Sequence, residues 1–338
     1  MAGRSAGVLF AYAFLFAAIS STASADGCKL QRIASFDFTG DGSIIIQTTI
    51  EGANVPMALD TGAPLSVIDP NVASNLNLNQ RSISWDLFRD MSGEKFTKIA
   101  TVHELGLGDA HASEVQLLVW PSTLAKDGHI GGTLGADLLR HYDVDIDFAA
   151  RKVSLFSRDH CPGGVVYWTT NNVAIVPMQV VKTGHIMVPV TLDGRPFDAL
   201  LDTGSSLSVL SQQTATNAFN LKAGSLDTPQ VTDVDVSSAL PVYRHTFKML
   251  SLEGITIKNP SVEIVSFHSM EPGLGSRISH GDESFGMTNF ILGLNELHNL
   301  HVYIAYYEQK LYISPATVPA IAAATAPSPS APAAAATH

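Results

Sequence analysis

The sequence predicts an all-β protein of two similar lobes, and three observations carry that prediction. One segment recurs without a gap 142 residues later, and a second recurs at an offset of 158. Hydrophobic residues make up 46% of the chain against 15% charged, a balance that fits buried strands and excludes general disorder. At 338 residues the chain has room for two domains, each burying its own core.

The first repeat unit, IIIQTTIEGANVPMALDTGAPLSVID at 44–69, aligns on IMVPVTLDGRPFDALLDTGSSLSVLS at 186–211. Each copy reads as a strand, a tight turn at Glu51-Gly52 or Asp193-Gly194, and a second strand. Asp-Thr-Gly follows, and then a further apolar alternation. The second unit, TLGADLLRHYDVDIDFAARKVSLF from Thr133, matches ILGLNELHNLHVYIAYYEQKLYIS from Ile291. Both copies give an apolar stretch ending in Gly135 or Gly293 and a short helix. A hairpin then alternates Val144, Ile146, Phe148 or Val302, Ile304, Tyr306. The two offsets differ by 16 residues, which are assigned to the loop at 266–286. Further strand-like runs lie at 98–107, 115–120, 246–252 and 262–266. The break between lobes falls where Cys161, Pro162 and Gly163-Gly164 cluster. This gives lobes at 30–157 and 170–314 with a linker at 158–169.

The ends read differently. Arg4, an apolar run at 7–19 and Ala23-Ser24-Ala25 have the layout of a secretory signal peptide over 1–25. The expectation is an exported protein, periplasmic or extracellular, with no membrane span once the signal is cleaved. Residues 315–338 are almost all Ala, Pro, Ser and Thr, a composition that cannot offset the entropy of ordering. The two cysteines, Cys28 and Cys161, could pair in an oxidising compartment or remain two thiols. A net charge of −11 repels phosphate backbones and argues against nucleic acid as a partner.

The duplicated Asp-Thr-Gly carries the chemistry. Two carboxylates brought within a few ångströms cannot both ionise cheaply, so they share one proton. One can then take a proton from water while the other gives one to a carbonyl oxygen. A pseudo-twofold axis relating two copies of one strand-loop unit sets Asp60 opposite Asp202. Thr61 and Thr203 can bond across that axis. Gly62 and Gly204 allow backbone amides to approach the carboxylates closely.

DTGAPLSV at 60–67 and DTGSSLSV at 202–209, each followed by an apolar-apolar-Gly element, resemble the aspartic proteases. The similarity is to the retropepsin-like fold in tandem, as in bacterial exported proteins with two such domains, and it covers most of 40–314. It implies two closed β-barrel lobes, an aspartic endopeptidase acting on a protein or peptide substrate, and Asp60 and Asp202 as catalytic residues. Thr61, Gly62, Ala63, Thr203, Gly204 and Ser205 would form the supporting loops, and hairpin flaps would fall at 90–101 and 231–245. One chain carrying both lobes would suffice as a monomer. Ser205 could hydrogen-bond Asp202, whereas Ala63 cannot do this for Asp60, so Asp202 is expected to be the more readily ionised. The alternative from another class is an inactive member that keeps the fold and binds peptide or a cell-envelope partner.

Other motifs yield to plainer readings. DFTGDG at 37–42 starts like a calcium loop, but Thr48 stands where a Glu belongs and strands follow, so a turn is expected. Gly106 and Gly108 lack a strand-to-helix context and read as a hairpin turn. No HExxH and no Cys-His spacing suits zinc, so no metal and no cofactor is expected, and His298 and His301 read as surface residues. Asp143, Asp145 and Asp147 read as structural or solvent-facing.

Overall fold

The computed structural model describes residues 29–83, 97–120, 130–171, 173–232, 241–266 and 288–316. The segment expected to be a signal peptide, Cys28, residues 267–287 and those beyond 316 lie outside them, as do most of the first stretch expected to form a flap and the middle of the second.

Each repeat builds the hairpin its sequence specifies. Ile45–Ile50 pairs with Ala53–Leu59, and Ile186–Leu192 with Arg195–Leu201, both antiparallel. Glu51 and Gly52 have φ of 49° and 77°, and Asp193 and Gly194 have 45° and 80°. Two successive positive values make the tight two-residue turn whose twist matches the strands it joins. After each Asp-Thr-Gly comes a short strand, Val67–Ile68 or Ser208–Ser211, and then a helix, Pro70–Asn75 or Gln212–Phe219. The helix caps are also equivalent. Asp69 accepts from the Asn71 amide and Ser211 from the Thr214 amide, which satisfies an otherwise orphaned donor in each first turn.

In the first lobe the sheet runs from Ile45–Ile50 through Ala53–Leu59, Gly132–Leu134, Val67–Ile68 and Ala110–Val119 to Lys98–Leu107. A further pairing of Thr49 with Gly106 and Ile50 with Leu105 closes these six strands into a barrel. The expected ELGLGD turn joins the last two of them.

The second lobe repeats this ring with one interruption. Val242–Thr246 pairs with Ser261–Val265, and Met249–Leu252 with Ile255–Lys258, in one continuous register, while the latter pair also joins Ile186–Leu192. The break falls at Phe247-Lys248 opposite Asn259-Pro260. Pro260 has no N–H to give the ladder, so only its carbonyl is used, by the Phe247 amide at 3.0 Å.

The duplicated hairpins after Gly135 and Gly293 join across the lobes. Asp143–Asp147 pairs antiparallel with Leu300–Ala305 at the centre of a six-stranded sheet. Lys152–Phe156 and Arg32–Asp37 extend it on one side, and Lys310–Pro315 and Ala174–Pro177 on the other. Asp145 lies opposite Tyr303, its own equivalent at the 158 offset, so the pseudo-twofold axis passes through that pair.

One face of this shared sheet holds Val144, Ile146, Val302 and Ile304 in the main core. The other face is covered by the segment between the lobes, which is a packed strap rather than a free spacer. Val165 is buried there, and Trp168 stacks on His301 with ring centroids 4.2 Å apart. His160 Nε2 lies 2.5 Å from Asp143, and His301 Nε2 2.6 Å from Asp145. His301 and His160 are therefore buried hydrogen-bond partners of the strand aspartates, which corrects the surface reading of His301. The strand aspartates are structural: Asp143 and Asp145 are buried on this face, and the latter also accepts from the Tyr167 hydroxyl at 2.6 Å.

Candidate active site

Each Asp-Thr-Gly loop is threaded between strands of its own barrel. Leu59 and Leu134 run parallel, as do Leu201 and Leu292. The Asp60 amide donates to the Leu134 carbonyl and the Asp202 amide to the Leu292 carbonyl, both at 3.0 Å. The apolar-Gly element therefore lies directly behind the catalytic-type loop. A Cβ on Gly135 would come within 2.8 Å of the Ala63 carbonyl, and one on Gly293 within 2.3 Å of the Leu207 carbonyl, so neither position has room for a side chain. Ser66 and Ser208 accept from the Gly135 and Gly293 amides at 2.9 and 3.0 Å. Their hydroxyls donate to Asp137 at 2.6 Å and Asn295 at 2.9 Å, which occupy equivalent positions.

The threonines tie the loops across the axis. Thr61 Oγ1 donates to the Leu201 carbonyl at 2.6 Å and accepts from the Thr203 amide at 3.1 Å. Thr203 Oγ1 donates to the Leu59 carbonyl at 2.9 Å and accepts from the Thr61 amide at 3.0 Å. Both side chains are fully buried, and every hydroxyl lone pair or proton used here goes to the opposite lobe.

This lattice sets the carboxylates face to face. A Cβ on Gly62 would fall 2.3 Å from the Asp202 carboxyl carbon, and one on Gly204 2.2 Å from that of Asp60, so each glycine packs flat on the opposing aspartate. Asp60 Oδ1 accepts from the Gly62 and Ala63 amides at 2.8 and 2.9 Å, and Asp202 Oδ1 from the Gly204 amide at 2.9 Å. Burial, reinforced by the charge of Asp202, holds the Asp60 carboxyl well above the ordinary carboxylate range. Burial raises Asp202 too, opposed by a hydrogen bond from Asp60, by the Gly204 amide and by the nearby His185. Both carboxyls are thus held above the ordinary range, as a close pair that cannot both ionise cheaply must be.

Ser205 Oγ donates to the Leu207 carbonyl at 2.7 Å, not to Asp202. His185, which sequence reasoning did not single out, lies instead beside the dyad with Nε2 2.8 Å from the Gly62 carbonyl. Cys161 is disulfide-bonded, while the chain's other cysteine, Cys28, lies outside the described residues.

Of the two stretches expected to form flaps, the described residues include only paired strand ends. Asn79–Ser82 pairs with Lys98–Thr101, and Gln230–Val231 with Val242–Tyr243.

A protein-family model described as Aspartyl protease matches residues 46–138 and again 188–295, each stretch containing one Asp-Thr-Gly and one apolar-Gly element. The chain belongs to the aspartyl protease family. A search of curated proteins finds no match. Among solved structures, the aspartyl protease chain is similar to the crystal structure of Basic 7S globulin from soybean. The two share 13% identity, with a TM-score of 0.43, over 86% of this chain and 96% of that one. Among the described residues no helix is long and apolar enough to cross a membrane.

Proposed function

We propose that this aspartyl protease family member is an active aspartic endopeptidase that hydrolyses peptide bonds with Asp60 and Asp202. The observation that carries the reading is the reciprocal packing of Gly62 on Asp202 and Gly204 on Asp60, which sets two half-buried carboxyls against each other, both held above the ordinary carboxylate range. A water held between them loses a proton to the charged Asp202 as its oxygen adds to the substrate carbonyl carbon. Asp60 gives its proton to the carbonyl oxygen. Collapse of the resulting gem-diol breaks the C–N bond as the amine leaves with the proton that Asp202 took up, and the second gem-diol hydroxyl returns a proton to Asp60. Atoms and charge balance, and the dyad ends as it began.

The supporting residues act by position. Thr61 and Thr203 fix the separation of the two loops, and the Gly62, Ala63 and Gly204 amides fix which carboxyl oxygens face the substrate. The same reading makes the protein an exported monomer working in the periplasm or outside the cell on protein or peptide, not on nucleic acid.

The test is cleavage of a mixed peptide library across pH 3 to 8 by the mature protein, with Asp60→Asn and Asp202→Asn alongside. Cleavage by the wild type alone, blocked by a statine-type peptide, is the expected result. A folded wild type that cuts nothing beyond either variant, yet binds peptide with unchanged affinity after both substitutions, would instead establish a binding protein.

A further inference from the structure

The two halves of the site are not symmetric, and the asymmetry lies just before the second repeat. Residues 181–185 form a turn in which the Gly184 amide donates to the Val181 carbonyl at 2.8 Å and the Val181 amide to the His185 carbonyl at 3.0 Å. Gly184 has φ of 91°, and a Cβ there would sit 2.7 Å from that of Ala136, next to Gly135 of the first lobe. The turn is thus pressed from the second lobe onto the apparatus of the first. At the 142 offset its equivalents are Gly42 and Ser43. Gly42 likewise faces the opposite lobe, at Ser206, but Ser43 stands where His185 does.

The ring is held from both ends. Nε2 lies 2.8 Å from the Gly62 carbonyl and Nδ1 2.8 Å from Thr183 Oγ1. A carbonyl can only accept, so Nε2 carries the proton and Nδ1 of the neutral ring accepts from Thr183. The Gly62 carbonyl belongs to the peptide group whose N–H is that of Ala63, and that N–H donates to Asp60 Oδ1 at 2.9 Å. His185 therefore reaches Asp60 through a single peptide unit, in which a bond at the oxygen strengthens the bond made by the nitrogen.

The titratable groups facing the ring among the described residues are Asp202, whose field reaches it, and Asp60 beyond the 62–63 peptide. Lys182 is exposed on the same turn. Burial keeps the ring neutral to lower pH than an ordinary histidine, opposed by the Gly62 carbonyl and Asp202.

We propose that His185 is a positioning residue of the dyad: it holds the Gly62–Ala63 peptide against Asp60, and when it gains a proton in acid it keeps Asp202 ionised. This rests on the peptidase reading above. The positive charge resists uptake of a second proton by the carboxylates, so the enzyme keeps its singly protonated dyad to lower pH than it would without the histidine.

The experiment compares wild type, His185→Gln and His185→Ala in kcat, KM and pH profile, with folding checked by circular dichroism. The alanine loses the donor, and kcat falls about five- to tenfold, the effect of one lost hydrogen bond, with KM little changed. The glutamine restores a donor but carries no charge. Its kcat returns to within about threefold of wild type, and its acid limb moves up by about half a unit to one unit. An alanine variant with wild-type kcat and acid limb overturns the proposal. So does a glutamine variant as impaired as the alanine with an unmoved limb.

If wild type cleaves nothing, the peptidase reading fails, but the role of His185 is still decided by ¹³C-carboxylate NMR of the dyad. Signals assigned with Asp60→Asn and Asp202→Asn should titrate at higher pH in His185→Gln. An unshifted titration overturns the proposal.

Discussion

Replacing Thr203 by Val tests whether the cross-lobe threonines hold the site together. Valine keeps the volume and the branched Cβ, so packing is nearly conserved and the change isolates the hydroxyl. That hydroxyl donates to the Leu59 carbonyl and accepts from the Thr61 amide, at 2.9 and 3.0 Å, inside a fully buried lattice. Two backbone groups lose their partners where water does not reach, at about 1–3 kcal/mol each. Partial relaxation of the lobes puts the expected loss at about 2–5 kcal/mol, or a fall in Tm on the order of 10 °C. Urea unfolding followed by both fluorescence and circular dichroism measures it, and Thr203→Ser, which keeps the hydroxyl, should recover most of the loss. A Thr203→Val protein within about 0.5 kcal/mol of wild type, the size of a neutral surface change, would refute the reasoning.

Gly204→Ala places a methyl 2.2 Å from the Asp60 carboxyl carbon and should lower kcat about a hundredfold or more in the peptide assay while far-ultraviolet circular dichroism is unchanged. Asp60 has a folded pKa above its reference of 3.8, so the folded state binds the extra proton. Stability from this group is therefore present in acid and lost as pH rises from about 4 through the raised value. Asp60→Asn should consequently have a higher Tm than wild type at pH 7, with the gap closing below pH 4 in a thermal scan series. His160→Ala leaves the buried Asp143 carboxyl short of its closest partner, a loss of about 1–3 kcal/mol. Limited proteolysis should then cut the 157–173 strap faster than in wild type.

The repeats made the pairing of Asp60 with Asp202 legible because symmetry does the positioning. Two identical strand-turn-strand units ending in Asp-Thr-Gly need only an axis between them to bring Asp60 to Asp202. The tight turns were readable from Glu51-Gly52 and Asp193-Gly194, since positive φ has few residue solutions. His185 escaped notice because it stands one position before the alignable segment, where Ser43 breaks the match. Its role depends on a turn pressed against the other lobe. Ser205 was misassigned because a hydroxyl three residues past an aspartate has two acceptors in reach, and only backbone geometry selects Leu207. The His160–Asp143 and His301–Asp145 pairs were hidden as well. Alternating aspartates look solvent-facing until a segment distant in sequence is known to cover them.

The sheet shared by the lobes has a consequence for how such a chain can vary. In a homodimer of the first lobe alone, the residue on the twofold axis would face its own copy, and Asp145 would be set against Asp145, a repulsive pair between adjacent strands. Within one chain the second position is free to differ, and here it is Tyr303. Covalent fusion removes the demand that on-axis residues be compatible with themselves, and so permits an acid to face a tyrosine at a place where two identical subunits would set acid against acid.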